Sequence, residues 1–216
     1  MHSFRSKFKI ASLAAVLLLS GCAQTPVTNI EPISPETIDP IKSKILGRYA
    51  LIVESENMRG IYHSTSTACA LYDFPYDVSE PYTKLIHETL KASLQSVELV
   101  GTTNNFNPEN YDAVILVTTT SMKTKFNIKK RIFTTDAIAF SSIISNIKIT
   151  LENKKQIHEE FNATRNYTGP LGYVCSKVPE AMKTSIEHSS HETAIAILKL
   201  VRATLWENIS SESPSL

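Results

Sequence analysis

Glycine is scarce in this chain, at 6 of 216 residues. None of the six falls in a G-x-G-x-x-G or Walker arrangement, so the turns that let a backbone wrap a phosphate are missing and nucleotide binding has no support. There is no G-x-S-x-G elbow and no H-E-x-x-H pair, the patterns that expose a nucleophile on a sharp turn or set two imidazoles and a base on one helix face. A triad built from distant positions would leave no such trace. The expectation is nevertheless a protein that is not an enzyme and that carries no cofactor. Charge of one sign is lacking too. Lys and Arg number 22 against 21 Asp and Glu, without the positive excess of a nucleic-acid binder. The apolar run from Ile10 to Leu19 holds about half of the roughly 20 residues that a membrane-spanning helix needs. Cysteine occurs three times.

What is present begins at the N-terminus. Arg5, Lys7 and Lys9 stand without an acid before Ile10 to Leu19, the charged and apolar regions of a secretory signal. The run stops in Leu19-Ser20-Gly21-Cys22, which resembles the lipobox of bacterial lipoproteins: a branched apolar residue, two small ones, then cysteine. The resemblance implies cleavage before Cys22, a diacylglyceryl thioether on its sulfur and acylation of the new amine. Two or three acyl chains hold a protein on a bilayer far more firmly than one. Ala23 stands where lipoproteins kept at the inner membrane commonly carry Asp, so the resemblance further implies the outer membrane, periplasmic face. Loss of residues 1–21 leaves 19 basic residues against 21 acidic, a net charge of about −2.

With Cys22 assigned to lipid, Cys69 and Cys175 remain as an even pair in an oxidising compartment, which favours a disulfide. Two buried thiols or a metal pair are the alternatives, although neither cysteine belongs to a C-x-x-C knuckle. Residues 22–46 contain Pro26, Pro32, Pro35 and Pro40 with no sustained apolar period. They read as a tether that, at about 3.1 Å per residue, reaches up to roughly 60 Å from the membrane. A stretch near Ile38 to Ile45 could instead pack on the domain.

The periplasmic domain is expected over residues 47–209, followed by a frayed tail at 210–216. Arg48 to Ser55 and Thr67 to Phe74 read as short strands, the second ending at Pro75. Tyr82, Leu85, Ile86, Leu90, Leu94 and Val97 recur at three and four, which predicts a helix from Ser79 to Val97 with Ser79 as N-cap and Pro81 in the first turn. Tyr111 to Val117 is a nearly continuous apolar run, as in a buried central strand. Ala137 to Leu151 and Gln156 to Tyr167 read as strands joined by a turn at Asn153-Lys154-Lys155. A long helix follows from Pro179 to Ile209, its apolar face broken at Ser190, where a small residue would sit against the sheet.

That order predicts an α+β two-layer sandwich, a sheet of about five strands, mainly antiparallel or mixed, with two helices on one face. The order is similar to the small sandwiches of outer-membrane assembly lipoproteins such as the lipopolysaccharide-transport lipoprotein, and of the N-terminal domain of the Tol system's periplasmic protein. More locally, Cys69-Ala70-Leu71-Tyr72-Asp73-Phe74-Pro75-Tyr76-Asp77 resembles poorly characterised proteobacterial lipoproteins with a second cysteine late in the chain. These resemblances imply an architecture and no activity.

Candidate functional residues are few. Lys123, Lys125, Lys129, Lys130 and Arg131 form a basic run without an acid, interleaved with Phe126, Ile128, Ile132 and Phe133. Such a mixture suits anionic lipid head groups, lipopolysaccharide phosphates or an acidic protein. It equally suits a solvated hairpin whose aromatic residues turn inward. His188 and His191, three apart between Glu187 and Glu192, could offer two imidazoles to a metal, but no third ligand stands at a recognisable spacing, so no metal site is assigned. Asp73 and Asp77 read as turn and cap residues in preference to an acid-base pair. The functional expectation is an accessory or scaffold lipoprotein of a secretion, export or outer-membrane biogenesis assembly. The alternatives are a lipid or lipopolysaccharide binder and a small envelope hydrolase.

Overall fold

A computed structural model describes residues 26–31, 44–64, 69, 72–101, 106–130, 134–172 and 175–212. Cys22 with the signal-like segment, residue 131 of the basic run and residues 213–216 of the tail lie outside these. The elements in chain order are β1 (Ile45–Glu54), β2 (Arg59–His63), β3 (Asp73–Asp77), α1 (Ser79–Lys91), β4 (Leu94–Leu99), β5 (Ala113–Lys130), β6 (Thr135–Leu151), β7 (Gln156–Pro170) and α2 (Val178–Glu212). A five-stranded sheet has the order β4-β1-β5-β6-β7, and β2 pairs with β3 in a separate two-stranded sheet. β1 runs parallel to both β4 and β5, while β5, β6 and β7 form an antiparallel meander. The architecture is the expected α+β sandwich with a mixed sheet.

Both helices cover the same side of the sheet. The Tyr82 hydroxyl of α1 meets Ser145 Oγ of β6 at 3.1 Å; on α2, Ser185 O accepts from Ser141 Oγ at 2.6 Å and Ser189 Oγ lies 2.5 Å from the same hydroxyl. Ser141 and Ser145 share the β6 face with Ala137, Ala139, Ile143, Ile147, Ile149 and Leu151, every one of them buried, as period-two alternation requires. The small residues Ser185, Ser189 and Ser190 of α2 are fully buried and let the helix lie close on the strands. The β2–β3 pair covers the remaining end of this side, where Phe126 packs edge-on to Tyr62 and Phe74 with ring centroids 5.3 and 5.4 Å apart. A disulfide joins Cys69 to Cys175 with Cα atoms 6.0 Å apart, fastening the approach to β3 to the approach to α2. Burial raises the pKa of the Tyr82 hydroxyl, offset in part by hydrogen bonds with Ser145 and Thr119. Burial, with Asp112 adding its negative charge, pushes the Tyr49 hydroxyl up to about 12.

Several sequence expectations need correction. The strand placed at Thr67 to Phe74 lies instead at Asp73–Asp77 and runs through Pro75. Proline is tolerated there because β3 pairs with β2 on one edge only, and the Pro75 carbonyl on the other receives Val27 N at 3.1 Å. β2 was not foreseen. The first helix ends at Lys91, and Leu94 and Val97, although at helical spacing, belong to β4, which pairs with β1. Long-range pairing here overrides the local period. Ser79 is the first helical residue and not the cap; Val78 stands before it without a side-chain cap, and Asp77 Oδ1 accepts from Ser79 N and Oγ. The strand expected to close at Val117 continues to Lys130, and α2 continues to Glu212, into the segment expected to fray. Residues 26–31 lie within the expected tether, yet Val27 and Ile30 are buried and Asp77 N donates to Val27 O at 2.9 Å. Val27, five residues after Cys22, is thus packed on the domain.

Candidate docking face

The lysines of the basic run are aimed by a change of phase within β5. From Ala113 to Thr119 the odd residues are buried; from Met122 to Ile128 the even ones turn inward and the odd ones are exposed. The change occurs at a β-bulge, where Thr119 pairs with Ser145 and Ser121 with Ile144, leaving Thr120 as the extra residue. Asn57 Nδ2 donates to Thr119 O at 2.9 Å, supplying a partner to a carbonyl at the point where the ladder is interrupted. Without the bulge, Phe126 would face solvent and Lys125 the core.

Because of it, Lys123, Lys125 and Lys129 project from the side of the sheet opposite the helices. Their cross-strand partners are Ser142, Phe140 and Asp136, and Lys125 Nζ sits 5.4 Å from the centroid of the Phe140 ring. Lys130 is exposed on the other side of the strand, at the end of the arm, so the structure gathers three of the four described cations and separates the fourth. The same outer side carries Ile52, Val114, Leu116, Ile138, Phe140 and Ile144, all half-buried. Among the described residues no helix or strand lies over them. The apolar part of this face was missed in the sequence. Its signal was there, since Ala137 to Phe140 and Ile143-Ile144 are apolar at both even and odd positions, as in a strand with two apolar sides.

The other candidates resolve into structural roles. Asp73 Oδ1 lies 2.7 Å from His63 Nδ1 across the β2–β3 pair, and Asp77 holds the start of α1, so the two carboxylates do not converge. His188 stacks edge-on to Tyr167 at 6.4 Å, while His191 Nε2 lies 2.7 Å from the Glu31 carbonyl. Among the described residues no group of three His, Cys, Asp or Glu converges to hold a metal. Lys183 is held above its usual pKa, first by its hydrogen bond to Glu31 and, against some desolvation, by Glu187. No described helix is long and apolar enough to cross a membrane.

No protein-family profile matches the chain, and no curated protein matches it. Among solved structures it is similar to protein XCC0632 from Xanthomonas campestris, of family DUF330, at 8% identity over 87% of this chain and 98% of that one, with a TM-score of 0.49. It is also similar to a putative neuraminyllactose-binding hemagglutinin homolog from Helicobacter pylori, at 14% identity over 86% and 100%, with a TM-score of 0.47. A third is the rare lipoprotein B from Shewanella oneidensis, at 13% identity over 76% and 99%, with a TM-score of 0.41. These likenesses concern the course of the chain alone.

Proposed function

We propose that this protein is a non-enzymatic lipoprotein of the bacterial outer membrane, anchored through Cys22 on the periplasmic side, which serves an envelope assembly by docking through the uncovered face of its sheet. The observation that carries the reading is the pairing of Lys123, Lys125 and Lys129 with the half-buried Ile138, Phe140 and Ile144 on one side, while both helices seal the other. A cationic stripe beside apolar side chains gives a partner both a charge to match and area to bury. The lipobox-like Leu19-Ser20-Gly21-Cys22 supports the anchor, and the separation of Asp73 from Asp77 removes one catalytic alternative. Since Val27 is packed on the domain, the five residue steps from Cys22 can reach at most about 18 Å. The domain then sits against the bilayer, well inside the 60 Å that the tether reading allows.

Mass spectrometry of the mature protein tests the anchor, and a bare Cys22 thiol would sink it. Affinity capture from detergent-solubilised membranes tests the face. A stoichiometric protein partner is expected with the native chain and should be lost when Lys123, Lys125 and Lys129 are changed together to Glu. A second reading, binding of anionic lipid, draws on the same juxtaposition of lysines and Phe140. It is favoured if native protein floats with phosphatidylglycerol vesicles in a salt-sensitive way and no partner is captured.

A further inference from the structure

β7 is an outermost strand of the five-stranded sheet and is 15 residues long. It pairs with β6 without a register shift from Gln156 to Pro170, and among the described residues nothing pairs with its far side. Alternate residues along it direct N–H and C=O groups away from β6, and such an edge is a template for another strand. Two devices that blunt an edge, a bulge and an internal proline, are absent, and the charges that β7 carries on its helix-covered side, Glu159 and Arg165, are of opposite sign and so can meet across a self-paired edge. β4, at the opposite edge, has only 6 residues.

We infer that this edge binds a second copy of itself, two β7 strands pairing antiparallel about a two-fold axis at Asn162 to join two sheets into one. The sequence of the strand fits itself in that register and in no neighbouring one. On the helix-covered side, Ile157 then faces the partner's Tyr167, Glu159 faces the partner's Arg165, and Phe161 faces the partner's Ala163, each pair made twice. On the outer side His158 faces Asn166, Glu160 faces Thr164 and Asn162 meets its own copy. Moving the axis to Phe161 places Arg165 against Ile157. Moving it to Ala163 places Arg165 against Phe161, and only the centre at Asn162 matches acid to base. Opposite charges directly across a strand pair favour a register, and like or unpaired ones reject it.

The helices support the same pairing. α2 packs on both β6 and β7, which centres it near the line between them. With strands about 4.8 Å apart, that line is about 5 Å from the axis. Two copies of α2 would lie about 10 Å apart, a spacing at which helices pack. The flank that meets the partner is an open groove of about 560 Å³ between Arg165 and the helix residues His188, Glu192, Ile195 and Lys199. Apart from Glu192, bonded to Arg165 at 2.6 Å, the ionisable groups of this groove are basic, and it is here that the partner's Glu159 would arrive. Ser185 Oγ donates to Arg165 O at 3.0 Å, which fixes the level of the helix on the strand. Asn162, about 10 Å along β7 from Arg165, is level with a point about seven residues along α2 from Ser185. An antiparallel second helix centred there brings Glu192 level with its own copy, each carboxylate held by the Arg165 of its own chain.

The test uses the full lipidated chain in two differently tagged copies expressed together and solubilised in mild detergent. One tag should capture the other. Glu159→Arg alone and Arg165→Glu alone should each reduce co-capture at least about tenfold, and the double variant, which restores both pairs in reverse, should recover it. An Asn162→Cys variant, a surface change that leaves both charge pairs intact, should give a covalent dimer under mild oxidation. Asn166→Cys alone should not, but should cross-link to a co-expressed His158→Cys chain. The inference is overturned if the tags do not co-purify, if the single charge reversals leave co-capture unchanged, or if Asn166→Cys links to itself as readily as Asn162→Cys. It is likewise overturned if a different protein occupies the edge, captured by the native chain and lost with either charge reversal.

Discussion

Along β6 the odd positions from Ala137 to Leu151 are all buried, while the even ones from Asp136 to Thr150 are half-buried or exposed, although Ile138, Phe140 and Ile144 are as apolar as their neighbours. Between residues 137 and 144 composition does not separate the two sides, although beyond them Asp136, Asn146, Lys148 and Thr150 stand only on the outer one. What separates them is where the connections run, because α1, α2 and the β2–β3 pair all return over the odd side. An apolar side chain with nothing over it contributes little to stability, since the free energy follows the area removed from water. The inner side is therefore where the fold is held, and the outer side is available for contact. Substitutions should report that division in the size of their effects.

The largest effect is expected at the disulfide, which secures the cover of the inner side. Its two cysteines are 106 residues apart, and closing so long a loop restricts the unfolded chain by up to about 4.7 kcal/mol on the chain-entropy model. Replacing Cys69 and Cys175 together by Ser should lower the unfolding free energy by about 4 kcal/mol in urea titrations. A loss near zero would mean that β2 and β3 hold their place without the link.

Next comes a pair of isoleucines three residues apart on opposite sides of β6. Ile147, buried beneath the helices, should cost about 3 kcal/mol on change to Ala, the sum of transfer and cavity terms. Ile144, half-buried on the outer side, should cost about 1 kcal/mol or less. Equal losses would show the outer side to be as fully covered as the inner.

How far this division was legible in the sequence depends on the scale of the signal. β1, β6, β7, the turn at Lys154 and α2 follow local periodicity and turn residues, and they lie where those place them. β4 could not be read that way, because Leu94 and Val97 fit a helix and only pairing with β1 makes them a strand. The bulge is harder to read: residues 113–117 are apolar at odd and even positions alike, and only from Met122 does an even phase show, so the change of phase is set by the register with β6. The lysines of the candidate face were found by charge alone. Their separation from Lys130, and their company with Phe140, are set by the register with β6, which no single segment contains.

A smaller effect is expected where polar groups fill the inner side. The Ser141 hydroxyl lies within 2.5 to 3.1 Å of Ser189 Oγ, Ser185 O and Ser185 Oγ, all buried. Ser141→Ala should cost about 1–2 kcal/mol, since it leaves buried partners with fewer bonds than before. A stabilising change would show that these serines serve only as small residues for close approach.

The smallest effect on stability is expected on the outer side, at Lys123, Lys125 and Lys129. Each is exposed, and the contact of Lys125 with Phe140 is that of a surface cation on a ring, worth no more than about 1 kcal/mol. Exchanging all three for Gln removes charge while keeping length and polarity, so the urea midpoint should move by less than about 0.5 kcal/mol equivalent. Capture of a membrane partner by the same protein should fall sharply and lose its dependence on salt, because the steering charges are gone. A large loss of stability would mean that the lysines belong to the fold. Unchanged stability together with unchanged capture would place the contact elsewhere on the molecule.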